Sequence, residues 1–151
     1  MALKEGDKAP EIELKNDRDE PFKLSDLRGQ KVVLYFYPRA DTPGCTVEAC
    51  EFRDASKQFG KRGTAIVGIS PDTPKAQDKF KTKYDLPFTL LCDTDRSAAK
   101  AYGVLKEKNM YGKKVIGIER STFVIDEDGR IAKIFTGVKA KGHAGQVLQN
   151  V

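Results

Sequence analysis

The stretch KVVLYFY, residues 31–37, is an unbroken run of β-branched, aliphatic and aromatic side chains after its opening lysine. Such a run lacks the polar alternation of a half-exposed strand, so it is typical of a strand that is buried on both faces. Both faces are covered when helices pack on either side of a largely parallel sheet. The stretch therefore predicts the central strand of an α/β sheet, and the segments around it should supply neighbouring strands and helices.

The segments that follow alternate between helical and strand patterns. Residues 45–59 mix apolar and charged positions as an amphipathic helix does, and residues 61–70, KRGTAIVGIS, contain a second buried strand. Residues 72–84, DTPKAQDKFKTKY, predict a second helix with Pro74 in its first turn, a position that proline favours. This β-α-β-α order is typical of parallel strands joined by helices.

The remaining segments complete the predicted sheet. A third strand is expected in residues 87–93 and a short helix in residues 95–103. Two further strands, within residues 117–138, are separated by an Asp-Glu-Asp-Gly turn, and an amphipathic segment in residues 142–151 closes the chain. Near the N-terminus, EIEL and PFKL flank a charged turn and predict a small hairpin.

Parallel β-α units followed by an antiparallel hairpin and a last helix define the predicted architecture. We predict an α/β, thioredoxin-like fold, with a central mixed β-sheet flanked by helices and with an N-terminal β-hairpin. A chain of 151 residues has the usual size of one domain, so residues 1–151 are predicted to form a single domain.

Composition argues against several classes of protein. No apolar run approaches the roughly 20 residues that span a bilayer, and the N-terminal segment lacks the features of a secretory signal or a transit peptide. We therefore expect a cytoplasmic protein that does not act at a membrane. The net charge is +5, yet lysine and arginine are interleaved with acidic residues along the chain, which is typical of a solvated surface rather than of a nucleic-acid-binding stripe.

Two of the three cysteines, Cys45 and Cys50, follow the predicted central strand in the stretch ADTPGCTVEAC. Open α/β sheets place reactive groups here, where a strand ends and a helix begins. Thr42 can cap the helix and Pro43 can occupy its first position, which sets Cys45 among the free N–H groups of the first turn. Those donors and the helix dipole favour a thiolate, so Cys45 is predicted to be a nucleophile; the alternative is a small residue in a turn.

The spacing of Cys45 and Cys50 leads to a second prediction. In a regular helix the Cα atoms of residues five positions apart are about 8.7 Å apart, whereas a disulfide needs less than about 7 Å. The two thiols can therefore pair only if the helix locally unwinds. The alternative is that Cys50 fills core space as a small hydrophobic residue. An odd number of cysteines in a reducing compartment also argues against a purely structural disulfide framework.

The segment PRADTPGC, residues 38–45, matches the P-x-x-x-T-x-x-C active-site motif of the peroxiredoxins. The longer stretch YFYPRADTPGCTVEACEFRD resembles the bacterioferritin comigratory protein branch of that family, also called peroxiredoxin Q. The similarity extends to GDKAPEIEL, DLRGQKVVLYFYP, GISPDTPKAQDKF and MYGKKVIGIERSTFVID, so it covers nearly the whole chain.

This resemblance implies a thiol peroxidase that reduces hydrogen peroxide and organic hydroperoxides. Cys45 matches the peroxidatic cysteine, which becomes a sulfenic acid, and Cys50 matches the resolving cysteine, which condenses with it to an intramolecular disulfide. Thioredoxin, or alternatively a glutaredoxin, would reduce that disulfide. The family assigns Thr42 to hydrogen bonding in the peroxide site, Pro38 to shielding the thiolate, and Arg120 to the role of its cationic partner.

The resemblance implies neither a metal nor an organic cofactor, and the internal resolving cysteine leads us to expect a monomer. Two positions depart from the family pattern: Cys92 stands where a serine is expected, and Gln77 replaces a histidine often found in the second helix. Cys92 lies in an apolar strand, so we interpret it as a buried, inert thiol, with a regulatory or alternative resolving role as the other possibility.

Two rival functions would use the single histidine, His143. A structural zinc site could combine it with Cys45, Cys50 and Cys92, although only one pair of these residues is close in sequence. A cysteine hydrolase could pair His143 with Cys45. Because His143 stands in a glycine-rich segment with no evident orienting partner, we expect it to be a solvated surface residue.

A third rival keeps the fold and the cysteines but changes the activity. A thiol-disulfide oxidoreductase or a non-catalytic redox sensor would use the same thiols without efficient peroxide turnover. The chain has no C-x-x-C motif, which disfavours the oxidoreductase. Pro38, Thr42 and Arg120 together favour a peroxide pocket over either alternative.

Overall fold

The fold is built on one large β-sheet with helices on both faces. The computed structural model describes residues 3–151, apart from the side chains of Lys108 and Met110. The strands in that range are β1 Glu13–Asn16, β2 Pro21–Lys23, β3 Lys31–Phe36, β4 Thr64–Ser70, β5 Thr89–Cys92, β6 Leu105–Met110, β7 Lys113–Ile118, β8 Ser121–Ile125 and β9 Ile131–Phe135. The α-helices are α1 Pro43–Lys61, α2 Pro74–Tyr84, α3 Ser97–Ala101 and α4 His143–Leu148. None of these helices combines the length and the apolar character needed to cross a bilayer.

Seven strands form the sheet, in the order β2-β1-β5-β4-β3-β8-β9. β3, β4 and β5 are parallel, whereas β8 runs antiparallel to β3. The predicted central mixed sheet, its flanking helices and the N-terminal hairpin of β1 and β2 are all confirmed. Because Phe36 pairs with Ser121, the start of β8 lies beside the end of β3. This pairing brings the residue before β8 to the end of the sheet at which α1 begins.

Alternate residues of β3 contribute to two apolar cores, one on each face of the sheet. Val33 and Tyr35 face the core that includes side chains of α1, α2 and α4, while Val32 and Leu34 face the core that includes α3. All four are buried, which is why this strand reads as a continuous apolar run.

Helix α1 begins and ends at recognisable signals. Pro43 occupies its first turn, and Thr42 before it has the extended backbone of an N-cap residue. The helix ends at Lys61, and Gly63 follows with a φ of +64°, a conformation that glycine adopts without strain. The prediction of residues 45–59 was therefore correct in kind and two residues short at each end.

The β6–β7 hairpin forms a separate two-stranded sheet that the sequence analysis did not assign. Met110 pairs with Lys113, and the two residues between them, Tyr111 and Gly112, have φ values of +53° and +78°. Two successive positive φ values match a type I′ turn, which suits the twist of a tight hairpin. The charged segments KEK and KK hide the alternation by which such strands are usually recognised.

Gly68 of β4 provides a test of packing around Tyr35. A Cβ atom at Gly68 would lie 2.9 Å from Leu90 Cδ2 and 3.0 Å from Tyr35 Cζ and Oη. Because these side chains are buried, we expect Gly68→Ala to lower the free energy of unfolding by about 1–3 kcal/mol. Urea denaturation followed by circular dichroism measures this change.

The matched control is Gly60→Ala, in the last turns of α1. No atom lies within 4 Å of a Cβ built at Gly60, and alanine favours helix over glycine, so this variant should gain about 0.5–1 kcal/mol. Equal effects of the two substitutions would show that close packing at Gly68 is not the cause.

Candidate active site

Cys45 lies just after the loop that joins β3 to α1. After Phe36 the chain crosses a short loop and enters the helix at Pro43, so Cys45 stands in the first turn and is only 1% exposed. The first N–H groups of a helix have no intrahelical acceptor, and the positive end of the helix dipole lies with them. Both effects favour negative charge at this position in a helix, and the role of Cys45 as a nucleophile stays a prediction.

Arg120 provides the positive charge nearest to this sulfur among the contacts described. It immediately precedes β8, and its Nη2 atom lies 3.4 Å from Cys45 Sγ although 75 residues separate the two in sequence. Its carbonyl accepts a hydrogen bond from Val138 N, at 3.1 Å, which fixes the backbone. A Cβ atom at Gly44 would lie 3.0 Å from Arg120 Nη2, so the glycine leaves room for the guanidinium.

Glu48 holds the other side of the Arg120 guanidinium, and the sequence analysis missed it. Glu48 Oε1 accepts from Arg120 Nη1 at 2.7 Å, and the residue is fully buried. The sequence feature that could have indicated Glu48 is its position three residues after Cys45, which places both side chains on one face of the helix. A glutamate among charged neighbours is normally solvated, so this signal alone does not distinguish an active-site carboxylate from a surface one.

Burial raises the pKa of Glu48 to about 7, and the charge and hydrogen bond of Arg120 offset only part of that effect. Within the described chain, Glu48 Oε2 is buried without a hydrogen-bond partner. The Arg120 guanidinium is itself partly buried, which disfavours its charge, but Glu48 and Cys45 outweigh this and raise its pKa. Arg120 therefore stays charged in contact with the sulfur.

Pro38 and Thr42 flank the loop before Cys45, and both are half-buried. The Thr42 hydroxyl donates to Arg39 O at 2.9 Å, whereas the prediction of a capping side chain required it to accept a hydrogen bond from the helix. Thr42 thus occupies the N-cap position without capping through its side chain. The structure brings both residues to the loop beside Cys45, and their roles at a peroxide stay predictions.

A chain of hydrogen bonds connects the loop before Cys45 to helix α2. The Tyr37 hydroxyl donates to Gln77 Oε1 at 2.7 Å, and the Gln77 amide donates to Ser70 Oγ at 2.8 Å. Ser70 donates to Asp72 Oδ2 at 2.6 Å, and the same oxygen accepts from Ala40 N at 2.7 Å. Gln77, a departure from the family pattern, is therefore a fully buried link between α2 and the loop.

Cys50 lies farther along α1 and is half-buried, and all three cysteines are free thiols. Since Cys45 and Cys50 share one uninterrupted helix, this arrangement keeps them apart, as the helix geometry predicts.

Cys92 lies at the end of β5 and is 4% exposed. Its thiol contacts Asn16 O at 3.6 Å. Burial raises its pKa to about 12, and the negative charges of Asp17, Asp72 and Asp19 add to that effect. A thiol that stays protonated is a poor nucleophile, which supports its interpretation as an inert core residue.

The expectation of a solvated His143 was wrong. His143 is 2% exposed, and its Nε2 atom lies 2.7 Å from Thr122 Oγ1 while Nδ1 lies 3.3 Å from Gln146 Oε1. Burial lowers its pKa, so it stays neutral near neutral pH. The ring packs edge-on against Phe52 and Phe135. This apolar environment comes from distant parts of the chain, so the glycine-rich segment around His143 does not indicate it.

The contacts of His143 also argue against the two alternative functions that require this residue, a cysteine hydrolase and a structural zinc site. Both ring nitrogens face Thr122 and Gln146, so neither is the partner of the Cys45 thiol that a cysteine hydrolase requires. Across residues 3–151, no three histidine, cysteine, aspartate or glutamate side chains are grouped so that they could hold a metal ion, which argues against the zinc site.

Comparison with known proteins gives consistent matches. The model of the AhpC/TSA family matches residues 5–134. Peroxiredoxin Bcp of Bacillus subtilis is 48% identical over 151 residues, covering 100% of this chain and 96% of its own length. Peroxiredoxin Bcp of Escherichia coli is 44% identical over 146 residues, covering 97% of this chain and 94% of its own length.

Solved structures agree with these relatives. A PrxQ structure from Xylella fastidiosa is 38% identical, with a TM-score of 0.94 over 99% of this chain and 96% of that one. A peroxiredoxin Q from Xanthomonas campestris is 40% identical, with a TM-score of 0.89 over 92% of this chain and 88% of that one. A further structure of the Xanthomonas campestris bacterioferritin comigratory protein, reported for its alkyl peroxide reduction activity, has a TM-score of 0.88 and 40% identity, with the same coverage.

The buried carboxylate of Glu48 makes a prediction about pH. Between about pH 5 and pH 7 the folded protein keeps a proton on Glu48 that the unfolded chain has released, so this group makes stability fall as pH rises. Glu48→Gln removes the ionisation. The unfolding free energy of E48Q minus that of wild type should therefore grow by roughly 1.4 kcal/mol per pH unit across this interval and then level off.

Urea denaturation of both proteins at half-unit steps from pH 5 to pH 8 measures the difference. Parallel stability profiles for wild type and E48Q would contradict a raised pKa at Glu48.

Proposed function

The chain belongs to the AhpC/TSA family, in its peroxiredoxin Bcp branch, and is a thiol-dependent peroxidase, and on that premise we propose that Cys45 is its peroxidatic cysteine. The observation that carries this assignment is the 3.4 Å contact between Arg120 Nη2 and Cys45 Sγ in the first turn of α1. A helix N-terminus and a fixed cation act on the same sulfur. Both stabilise the thiolate, which is the nucleophilic form.

In the first step the Cys45 thiolate attacks one oxygen of a hydroperoxide and the O–O bond breaks. Cys45 becomes a sulfenic acid, and the other oxygen takes up a proton and leaves as water or an alcohol. Negative charge builds up on the departing oxygen, where the Arg120 guanidinium can stabilise it. By resemblance to the family, the Thr42 hydroxyl is assigned to the peroxide and Pro38 to shielding the sulfur, and both residues lie in the loop that leads to Cys45.

In the second step the Cys50 thiol attacks the sulfenic sulfur, a disulfide forms and water leaves. This step requires α1 to unwind locally, because the helix holds the two residues farther apart than a disulfide permits. Cys92 is not assigned a role, since its pKa of about 12 leaves it protonated.

In the third step a dithiol reductant restores both thiols by exchange. Thioredoxin is the proposed reductant, with a glutaredoxin as the alternative. Because the whole cycle uses residues of one chain, no partner subunit is required and we propose a monomer. We also propose that the protein is cytoplasmic and that residues 1–151 act as a single domain. Hydrogen peroxide and organic hydroperoxides are the proposed substrates, and the alkyl peroxide reduction named for the Xanthomonas campestris protein supports the organic ones.

The burial of Cys45 favours the peroxidase over an oxidoreductase or a sensor that exchanges disulfides with other proteins. Because Cys45 is 1% exposed and its sulfur contacts a guanidinium, the proposed reactant in the helical state is a molecule as small as a hydroperoxide. A protein disulfide needs in-line access to the sulfur, which the intact helix does not offer.

Serine substitutions test the cycle in a coupled assay with thioredoxin, thioredoxin reductase and NADPH. Cys45→Ser should abolish peroxide consumption, because no thiolate remains to attack. Cys50→Ser should consume about one equivalent of peroxide, form a sulfenic acid and then stop, while Cys92→Ser should turn over within about twofold of wild type. Turnover by Cys45→Ser at the wild-type rate would refute the assignment.

Arg120→Lys tests the cation. Lysine keeps the charge but cannot bridge Cys45 and Glu48 with a planar fork, so kcat/KM for hydroperoxide should fall by about 10²–10³-fold. Competition with a second peroxidase for limiting hydrogen peroxide measures this rate. The matched control is Arg39→Lys, at an exposed arginine of the loop before Cys45, which should stay within about twofold of wild type.

A further inference from the structure

Asp41 ties the loop before α1 to the end of α2. Its carboxylate accepts from Lys83 Nζ at 2.9 Å and from the Tyr84 hydroxyl at 2.8 Å. The hydrogen bond from Lys83 and then that from Tyr84 lower the pKa of Asp41, and the hydrogen bond to Asp41 raises the pKa of Lys83. The lowered pKa of Asp41 and the raised pKa of Lys83 both favour the charged forms, so the pair is ionised at neutral pH. We call these three residues the Asp41 clamp.

The backbone at Asp41 needs such support. Its φ is +59°, in the left-handed region that residues other than glycine rarely adopt, with aspartate and asparagine the main exceptions. Thr42 and then helix α1 follow directly. The conformation that starts the helix therefore depends on a residue that is anchored through its side chain.

The end of α2 also holds α1 on the far side of the two cysteines. Arg53 Nη1 donates to Tyr84 O at 2.8 Å, so Tyr84 contacts the chain before the cysteines through its hydroxyl and after them through its carbonyl. Glu51 adds a second anchor by accepting from Gly142 N at 2.8 Å. The segment 42–50, which contains Cys45 and Cys50, lies between these two sets of contacts.

These anchors differ in strength. Phe52, next to Glu51 and Arg53, is fully buried in the core. The clamp is exposed, with 53% of the Lys83 side chain and 36% of the Asp41 side chain accessible to solvent. Exposed ion pairs contribute little to stability and can open readily. Unwinding of segment 42–50 should therefore begin at its N-terminal boundary, where the clamp is the contact that has to open.

We propose that the Asp41 clamp positions the start of α1 and sets the balance between the helical state, in which Cys45 meets peroxide, and an unwound state, in which it reaches Cys50. This inference rests on the proposed Cys45–Cys50 disulfide. The clamp favours the first step and opposes the second. The longer Cys45 stays helical as a sulfenic acid, the more often a second hydroperoxide oxidises it to a sulfinic acid, with release of water or an alcohol.

Three variants weaken the clamp from different positions. Asp41→Asn removes the charge but keeps a residue that tolerates a positive φ, Tyr84→Phe removes only the hydroxyl, and Lys83→Met removes the cation from the other helix. For each, rapid-quench mass spectrometry gives the rate of disulfide formation and the fraction of sulfinic acid. Peroxide competition gives the rate of the first step.

We expect each variant to speed disulfide formation by about two- to fivefold, the size expected from one exposed ion pair or hydrogen bond. The peroxide concentration that converts half of Cys45 to sulfinic acid should rise by a similar factor, while the first step slows or stays constant. A substitution that only destabilised the fold would not raise the rate of disulfide formation while the first step stays constant or slows.

Lys23→Met is the matched control. It breaks the exposed contact between Lys23 and Glu13, 3.9 Å apart in the N-terminal hairpin, and should change neither rate nor the sulfinic fraction. The proposal is overturned if the clamp variants leave the rate of disulfide formation unchanged or reduce it. A wild-type protein that turns over without forming a Cys45–Cys50 disulfide would instead overturn the proposed second step, and the clamp with it.

Discussion

The arrangement of this site depends on the Arg120 guanidinium, which contacts Cys45 and Glu48 with two different nitrogens. A guanidinium and a carboxylate lose hydration when they are buried, and their mutual attraction often fails to repay that loss. Such a pair is therefore weak evidence of a contribution to stability. Its effect here is geometric. The Glu48 carboxylate fixes the plane of the Arg120 guanidinium through Nη1, and the guanidinium then points Nη2 at the Cys45 sulfur. Gly44 keeps this approach open, since any larger residue would meet Arg120 Nη2.

The sheet topology makes that contact possible. Because β8 runs antiparallel beside β3, the residue that precedes β8 and the helix that follows β3 lie at the same end of the sheet. A helix placed there needs its first turn intact for reactivity, yet the same helix carries Cys50 out of bonding range. The two proposed steps, attack on peroxide by Cys45 and its pairing with Cys50, thus need two conformations of one segment. For this proposed cycle, the local stability must be low enough for the segment to open and high enough for it to react first.

The sequence predicted what depends on local pattern. The run 31–37, the proline at the start of α1 and the turn before β9 each carry a signal within a few residues. Arg120 could be assigned only by family resemblance, since nothing local distinguishes it from the exposed Arg39. The site role of Glu48 and the burial of His143 were not predicted, for one physical reason. A polar side chain is buried only when a residue far away in the sequence supplies its hydrogen-bond partner. Arg120 and Thr122, both near the start of β8, are those partners.

The same reasoning predicts that Cys45 and Cys92 differ in reactivity although their side chains are identical. Cys45 and Cys92 are both almost fully buried, so burial alone does not distinguish them. Cys45 lies at a helix N-terminus against a guanidinium, whereas Cys92 lies at a strand end among Asp17, Asp72 and Asp19, whose charges oppose a thiolate. One carboxylate of that group, Asp72, also holds the loop before Cys45 through the Ala40 amide. A single carboxylate therefore holds the loop before Cys45 and also opposes the ionisation of Cys92.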